Sequence, residues 1–316
     1  MSSDKLLLFI DTEIIGRANR SPGARKRIRI NEAGEAVLPT IGEGTVEQEV
    51  SAILSLWNLQ YSSPSCPVKE PPVRSEALKI LLRSNQQREA GRRKAQFEDR
   101  ALGTLQDGYD VQHMIRVVRF CWEGWQDDQK RVLPGLVESH LRTAVDFLLS
   151  HTMLLRGENN RTAQLPDLFA MQLPNEGSTV CWLLLMIINN GKTNQLNRLE
   201  YGISARHRHV LRCPIGHLAF YLFFRWNIMR EAPPVFNQRQ QWYSIYMLKG
   251  SDRHRPLSYA TQSEWIRKAF RTAGMSSVTK TTHSGRSQGA REAELAGVNE
   301  AQIRRAGRWN NDVLTQ

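Results

Sequence analysis

The sequence predicts a mainly α protein with one small antiparallel β hairpin sheet, arranged in two lobes. Three observations carry this. Long stretches place apolar residues at steps of three and four, the spacing of one helical face. One continuous apolar run, Val180 to Ile188, ends at Asn-Gly, a strong hairpin signal because both turn positions tolerate positive φ. The 316 residues suffice for two domains or one large one.

Residues 1–44 read as a basic segment without stable structure. "LLLFI" at 6–10 is too short for a signal-peptide core. Arg17, Arg20, Arg25, Lys26, Arg27 and Arg29 then form a basic run inside Gly- and Pro-rich sequence, the pattern of a solvated tail, an import signal or a backbone-binding arm. Packed structure is expected from Thr45, whose pairing with Gln48 makes a capping box ahead of the stripe Val46, Val50, Ile53, Leu54 and Trp57. A Pro-rich break follows. A second helix carries Ala77, Leu78, Leu81 and Leu82 inward and becomes strongly basic at Arg88, Arg92, Arg93 and Lys94, either a solvated face or a polyanion contact. A third helix runs from Asp110 toward Trp122. Residues 45–130 are thereby assigned to a helical lobe.

The second lobe, 131–316, opens with an amphipathic helix lined by Leu136, Leu141, Val145, Leu148 and Leu149, with Pro134 near its start. The apolar strand comes next, with a returning strand around Asn197–Ser204. Helices are expected in "IGHLAFYLFFRWNIMR" and "SEWIRKAFRTAGM" and after Ser284, the last closed by Gly297, with Asn299 and Gln302 capping its successor.

Composition narrows the chemistry. The charge balance, 43 − 31 = +12, favours polyanions such as nucleic acid or anionic membrane. No apolar run is long enough to cross a bilayer, so no membrane partner is expected. Cys66, Cys121, Cys181 and Cys213 are scattered without C-x-x-C, which suggests reduced, buried thiols and an intracellular setting. His207 and His209 lack the companions of a metal site. "NNGKTN" has only the tail of a nucleotide loop and lies between strands. No cofactor or metal is expected.

Four elements can carry chemistry. Arg156 ends a strong helix before a glycine, where it either caps carbonyls or aims a planar, two-pronged donor at a phosphate. Lys192 sits at the hairpin tip, an ordinary exposed lysine or a proton donor to a leaving alkoxide. His283 and Arg286, three apart at a helix start, share a face and can address one anion. "GVNEAQIRRAGRW" has the look of a helix-turn-helix, which would make Arg304 and Arg305 base readers.

Arginine after a long helix, lysine on a hairpin tip, H-x-x-R and Gly-Arg-Trp, in that order, resemble the catalytic domain of tyrosine (phage integrase-type) recombinases. The stretches "FEDRALGTLQDGYDVQHMIRVVRFCW", "LLRGENNRTAQLPDLF", "NNGKTNQLNRLEYGISARHRHVLRCPIGHLAFYLFFRW" and "THSGRSQGAREAELAGVNEAQIRRAGRWNND" are similar to the fungal branch. That branch includes Crypton transposon recombinases and the DNA-binding domain of the yeast kinetochore's centromere-binding subunit. The resemblance implies a two-lobed recombinase-like architecture. Arg156 and Arg286 would hold the non-bridging oxygens of a phosphate, Lys192 would be the general acid, and His283 would assist the nucleophile. Trp309 would bond the phosphate and pack the site.

The family tyrosine belongs shortly after Gly-Arg-Trp, and no tyrosine follows Trp309 in the 316 residues. The expectation is a nuclear protein that binds double-stranded DNA through its backbone without cleaving it in cis, with assembly on DNA as a homodimer or higher oligomer left open. Arg88, Arg92, Arg93 and Lys94 would supply one side of the interface, and Arg206, Arg208, Arg253 and Arg255 the other. The alternatives are an active strand-transfer recombinase in a longer product, a helix-turn-helix regulator, and a helical adaptor whose charge is incidental.

Overall fold

The computed structural model describes residues 2–19, 29–30, 36–37, 39–65, 70–95, 108–127, 129–176, 180–188, 199–275, 278 and 280–309, with the backbone alone at 29, 30, 36, 37, 93 and 95. It divides into two compact units, Met1–Arg100 and Ala101–Gln316.

In the first unit, α1 (Ser3–Phe9) is capped by the Ser2 hydroxyl and runs into a π turn, Ile10–Ile14. Leu6, Ile10 and Ile14 recur every four residues and pack against Val46, Val50 and Trp57 of α2 (Glu43–Tyr61) and Leu78 and Leu82 of α3 (Glu76–Ala95). Each buried side chain of this kind contributes on the order of 1.5–3 kcal/mol. Residues 3–14 are therefore helical and packed, where the sequence suggested a loose segment. The basic run dominates the composition and hides the short stripe before it. Part of that run, Arg20 to Arg27, lies outside the described residues. Arg17 forms an ion pair with Glu49 at 2.7 Å, and β1 (Arg29–Ile30) pairs antiparallel with β2 (Ala36–Val37). The second helix starts at Glu43, ahead of the expected Thr45, and the Gly42 carbonyl accepts from the backbone of Thr45 and Val46.

The second unit is built round α5 (Pro134–Thr152), entered through Pro134 in its first turn. The helix was expected to have a wet face, yet it is buried almost all round. Glu138, His140, Arg142, Asp146, Ser150 and His151 are covered along with its leucines, because most of its polar side chains meet buried partners on other elements. Glu138 lies 3.0 Å from the Lys249 ammonium, and Arg142 donates to the Lys249 carbonyl at 2.9 Å.

The preceding helix, α4 (Val111–Glu123), is capped by Asp110, whose carboxylate accepts from the His113 backbone at 2.7 Å. Met114, Val117 and Val118 pack with Phe147 and Leu148 of α5 and with Ile266 and Phe270 of α9 (Tyr259–Thr272). The division between units thus falls before α4, at Arg100, and not at the expected residue 131.

After α6 (Gly157–Thr162) comes a three-stranded antiparallel sheet in the order β3 (Leu168–Leu173), β4 (Cys181–Ile188), β5 (Glu200–Ala205). The expected hairpin is β4–β5, with Ile188 opposite Glu200. The third strand, β3, pairs Phe169 with Leu185 and was not anticipated. Then follow α7 (Pro214–Phe223), continued by a π turn at Phe224–Ile228, and the short α8 (Arg239–Trp242). The unit closes with α9, α10 (Ser284–Leu295) and α11 (Glu300–Gly307). Gly297, at φ +79°, ends α10 as expected, and the Asn299 side chain caps α11. Cys121 and Cys213 are buried free thiols and Cys181 is a half-buried one, while Cys66 lies outside the described residues.

Candidate functional site

The site forms where the C-terminal end of α5 meets α10 and the exit of α11. Two glycines permit the meeting. On α10, a Cβ at Gly285 would lie 2.9 Å from Ser150 Cβ, and one at Gly289 would overlap the His151 carbonyl. The Gly-x-x-x-Gly spacing keeps both on one helical face, so α10 presses against the backbone of α5. Arg286, between them, reaches past the end of α5.

At that end the chain turns through Leu154, which adopts a left-handed φ of +51°. Its carbonyl accepts from Arg286 Nη1 at 2.6 Å and from Arg308 Nη2 at 2.7 Å. Arg286 Nη2 also donates to the Gly307 carbonyl. Arg308 also donates to the carbonyls of Met153 and Tyr201, both at 3.1 Å.

The Gly-Arg-Trp element now has a local explanation. Arg308 is left-handed, at φ +56°, and ends α11 with its side chain turned inward. Trp309 then folds back over Gly307, where any Cβ would overlap the indole. The ring stacks on the Arg286 guanidinium with 4.4 Å from the carbon to the centroid, a cation–π contact strengthened by burial.

Arg156 begins α6. Its backbone N–H donates to Asn159 Oδ1 at 3.0 Å, which closes the first turn. A Cβ at Gly157 would come within 3.0 Å of Gln262 Oε1 and of Thr282 Cβ, so α6 sits directly against α9 and the residue preceding His283. Beneath it, the buried Asp146 carboxylate accepts from Asn160 Nδ2 at 2.8 Å and from Gln262 Nε2 at 2.9 Å, and Gln262 also donates to the Gly157 carbonyl at 3.0 Å. This network fixes where Arg156 leaves the surface.

Electrostatically the cluster carries an uncompensated excess of positive charge. Burial, then the charges of Arg156 and Arg308, press the Arg286 guanidinium down to about 9. Burial and Arg156 lower Arg308 to about 10 against the opposing pull of Glu200. Both keep their protons at neutral pH, at a cost that an anion between them would relieve. Arg286 and Arg308 are nearly covered, whereas Arg156 is half-exposed. Beside them an open cavity of about 880 Å³ lies between Tyr201 and Ile203 of β5 and Arg305 and Trp309.

Of the expected site residues, Arg156, Arg286 and Trp309 come together. His283 is exposed at the N-cap of α10, one turn before Arg286 and next to Thr282. Lys192 lies outside the described residues. Arg308 was missed. It stood inside the motif as a spacer between glycine and tryptophan, and only its left-handed backbone turns it into the cluster.

The wider basic set is uneven. Arg88, Lys94, Arg206 and Arg208 are exposed. Arg92 is paired with Glu89, its Nε at 2.8 Å. Arg93 contributes backbone alone to the description. Arg253 is tied to the Ala232 carbonyl at 3.0 Å, and Arg255 lies 3.4 Å from Asp252. The expected base readers line the cavity facing β5, and Arg304 pairs with Glu300 at 2.7 Å. Among the described residues no cluster of metal-ligating side chains occurs, and no helix is long and apolar enough to cross a membrane.

Comparison with known proteins gives three results. The model of the family described as "Centromere DNA-binding protein complex CBF3 subunit, domain 2" matches residues 71–316. Comparison with curated proteins gives no match. Among solved structures, the XerH site-specific recombinase bound to palindromic difH substrate, a post-cleavage complex, aligns with a TM-score of 0.54 at 10% identity, over 98% of this chain and 64% of that one. At that identity the likeness shows the fold alone, and this chain spans less than two thirds of XerH. An FLP recombinase–Holliday junction complex is more distant, with a TM-score of 0.41 at 13% identity over 76% of this chain and 53% of that one, and carries no argument. The expected recombinase-like, mainly α fold is thus what the chain has.

Proposed function

The chain belongs to the family of the centromere DNA-binding protein complex CBF3 subunit, domain 2, and from that premise we propose that it binds double-stranded DNA in the nucleus by gripping the phosphate backbone. The observation that carries the reading is the convergence of Arg156, Arg286 and Arg308, from three separate segments, round the end of α5. Arg156 is the accessible member and takes the phosphate. Arg286 and Arg308 have donors committed to carbonyls and act by holding fixed positive charge behind it, where poor screening makes that charge count most. The net charge of +12 draws the polyanion in from a distance.

The function is binding, along the line of the centromere-binding and Crypton-like relatives that the sequence resembles. The helix-turn-helix alternative is disfavoured by α11, whose Arg304 and Arg305 face the cavity beside β5. Fluorescence anisotropy with a labelled duplex tests the reading. Log affinity should fall steeply and linearly with log salt as several phosphates release counterions. A flat salt response removes it.

A further inference from the structure

Outside this cluster, α9 carries Arg267 and Arg271 one turn apart on an exposed face. Neither makes a hydrogen bond or ion pair among the described residues, and Glu264, one turn earlier, pairs with neither. All three line a separate cavity of about 370 Å³, floored by Phe270 and Met275 and closed at one side by Thr281. The Thr281 hydroxyl also has no partner among the described residues, though the residue is nearly buried. Thr281 opens the turn that leads through His283 into α10.

We propose that this cavity is a second backbone-phosphate site, which takes a DNA phosphodiester flanking the one held at Arg156. The inference rests on the DNA-binding reading and extends it to residues not assigned there. Two unpaired guanidinium groups at i and i+4 point the same way and can present parallel N–H donors to one anion. The Thr281 hydroxyl adds a donor, and the apolar floor suits the sugar edge beside a phosphate. Together Arg267, Arg271 and Glu264 sum to one positive charge, which matches a singly charged phosphodiester better than a dianionic monoester. A plain solvated face accounts for exposed arginines. It does not account for their lining a hollow with an unpartnered hydroxyl next to the turn that carries His283.

The test compares the wild type, Arg156→Ala and the double variant Arg267→Gln/Arg271→Gln in duplex-binding titrations over a salt series. The double variant should lower the slope of log affinity against log salt by about 1 to 2, at about 0.9 per phosphate lost. Its melting temperature should match the wild type, because both side chains are exposed. Ethylation interference should lose one flanking phosphate and keep the central one. A wild-type slope in the double variant, with Arg156→Ala still weakened, overturns this inference and leaves the parent reading intact. A wild type that shows no salt-dependent duplex binding removes the parent reading and this site with it.

Discussion

Arg286 and Arg308 donate to the same oxygen, the carbonyl of Leu154, at 2.6 and 2.7 Å. Two cations sharing one neutral acceptor are held together by geometry against their own repulsion. The left-handed Leu154 presents the carbonyl, the α10 glycines bring Arg286 to it, and the left-handed Arg308 closes from the other side. Such an arrangement is stabilised by whatever negative charge it receives, which is why its members should separate into one that binds and two that build.

Arg156 and Arg286 should therefore fail differently. Arg156→Ala removes a half-exposed side chain while its backbone goes on capping α6. Duplex affinity should drop by about 1.5–3 kcal/mol, roughly 10- to 150-fold, with little change in melting temperature. Arg286→Ala strips the Gly307 carbonyl of its donor and Trp309 of its stacking partner. It should lower stability by about 1–3 kcal/mol for the orphaned carbonyl alone. Equal melting losses in the two variants would show that Arg156 is only a structural cap.

Gly289→Ala tests the approach of α10. The new methyl would overlap the His151 carbonyl and meet Leu154 Cδ2 at 2.7 Å. Backbone cannot yield as a side-chain tip can, so the helices must part. Stability should fall by about 1–3 kcal/mol or more. Duplex affinity should fall with it, because Arg286 loses its place at Leu154. Gly135 of α5, with open space round its Cβ position, supplies the control. Alanine there should leave binding unchanged.

The outline of this fold was legible because helices and the β4–β5 hairpin announce themselves by period and by Asn-Gly. What misled was polarity inside the core. Asp146, Arg142 and His151 read as the wet side of α5 because a single sequence cannot show that Gln262, the Lys249 carbonyl and Glu292 wait for them more than a hundred residues away. Strand β3 was hidden for another reason: its exposed Phe169 and Met171 break the alternation of a half-buried strand. The candidate site was legible in the order of Arg156, H-x-x-R and Gly-Arg-Trp. The Gly285–Gly289 spacing was also in plain view, and a search for close helix approach would have found it.

Glu292 should matter to the same joint. Its carboxylate accepts from His151 Nε2 at 3.1 Å and pairs with Arg212, while the Tyr109 hydroxyl bonds the other ring nitrogen of His151 at 3.0 Å. The hydrogen bond from His151 holds Glu292 down at about 2 against the effect of burial. This carboxylate's contribution is therefore present above its ordinary range and is lost only as pH falls toward 2. Glu292→Gln should cost about 1–3 kcal/mol at neutral pH through the uncompensated Arg212. The penalty should shrink on acidification, as followed by denaturant melts between pH 7 and about pH 2.5.

His140 gives the protein a dependence on mild acid that a single melt would hide. The ring is fully buried between Phe120 and Trp265, with centroids at 4.8 and 5.1 Å, and neither nitrogen has a partner among the described residues. Burial, then the charge of Lys268, pushes it from 6.5 down to about 4. Between those values the unfolded chain binds the proton and the folded one does not. Stability from the neutral ring is thus complete above 6.5 and lost as pH falls toward 4, by at most about 3 kcal/mol. His217 moves in the same direction, since burial lowers it while its Nε2 accepts from Trp122 at 2.8 Å. Asp146 runs the other way: burial raises it from 3.8 to about 6, so the folded state takes up that proton first and gains stability as pH falls through much the same window. The opposing slopes can cancel in the wild type. His140→Leu removes one and should become more stable relative to the wild type as pH drops from 6.5 to 4. Asp146→Asn removes the other and should lose ground over the same range. Parallel pH profiles for wild type and His140→Leu would mean the ring is already solvated or charged in the folded protein.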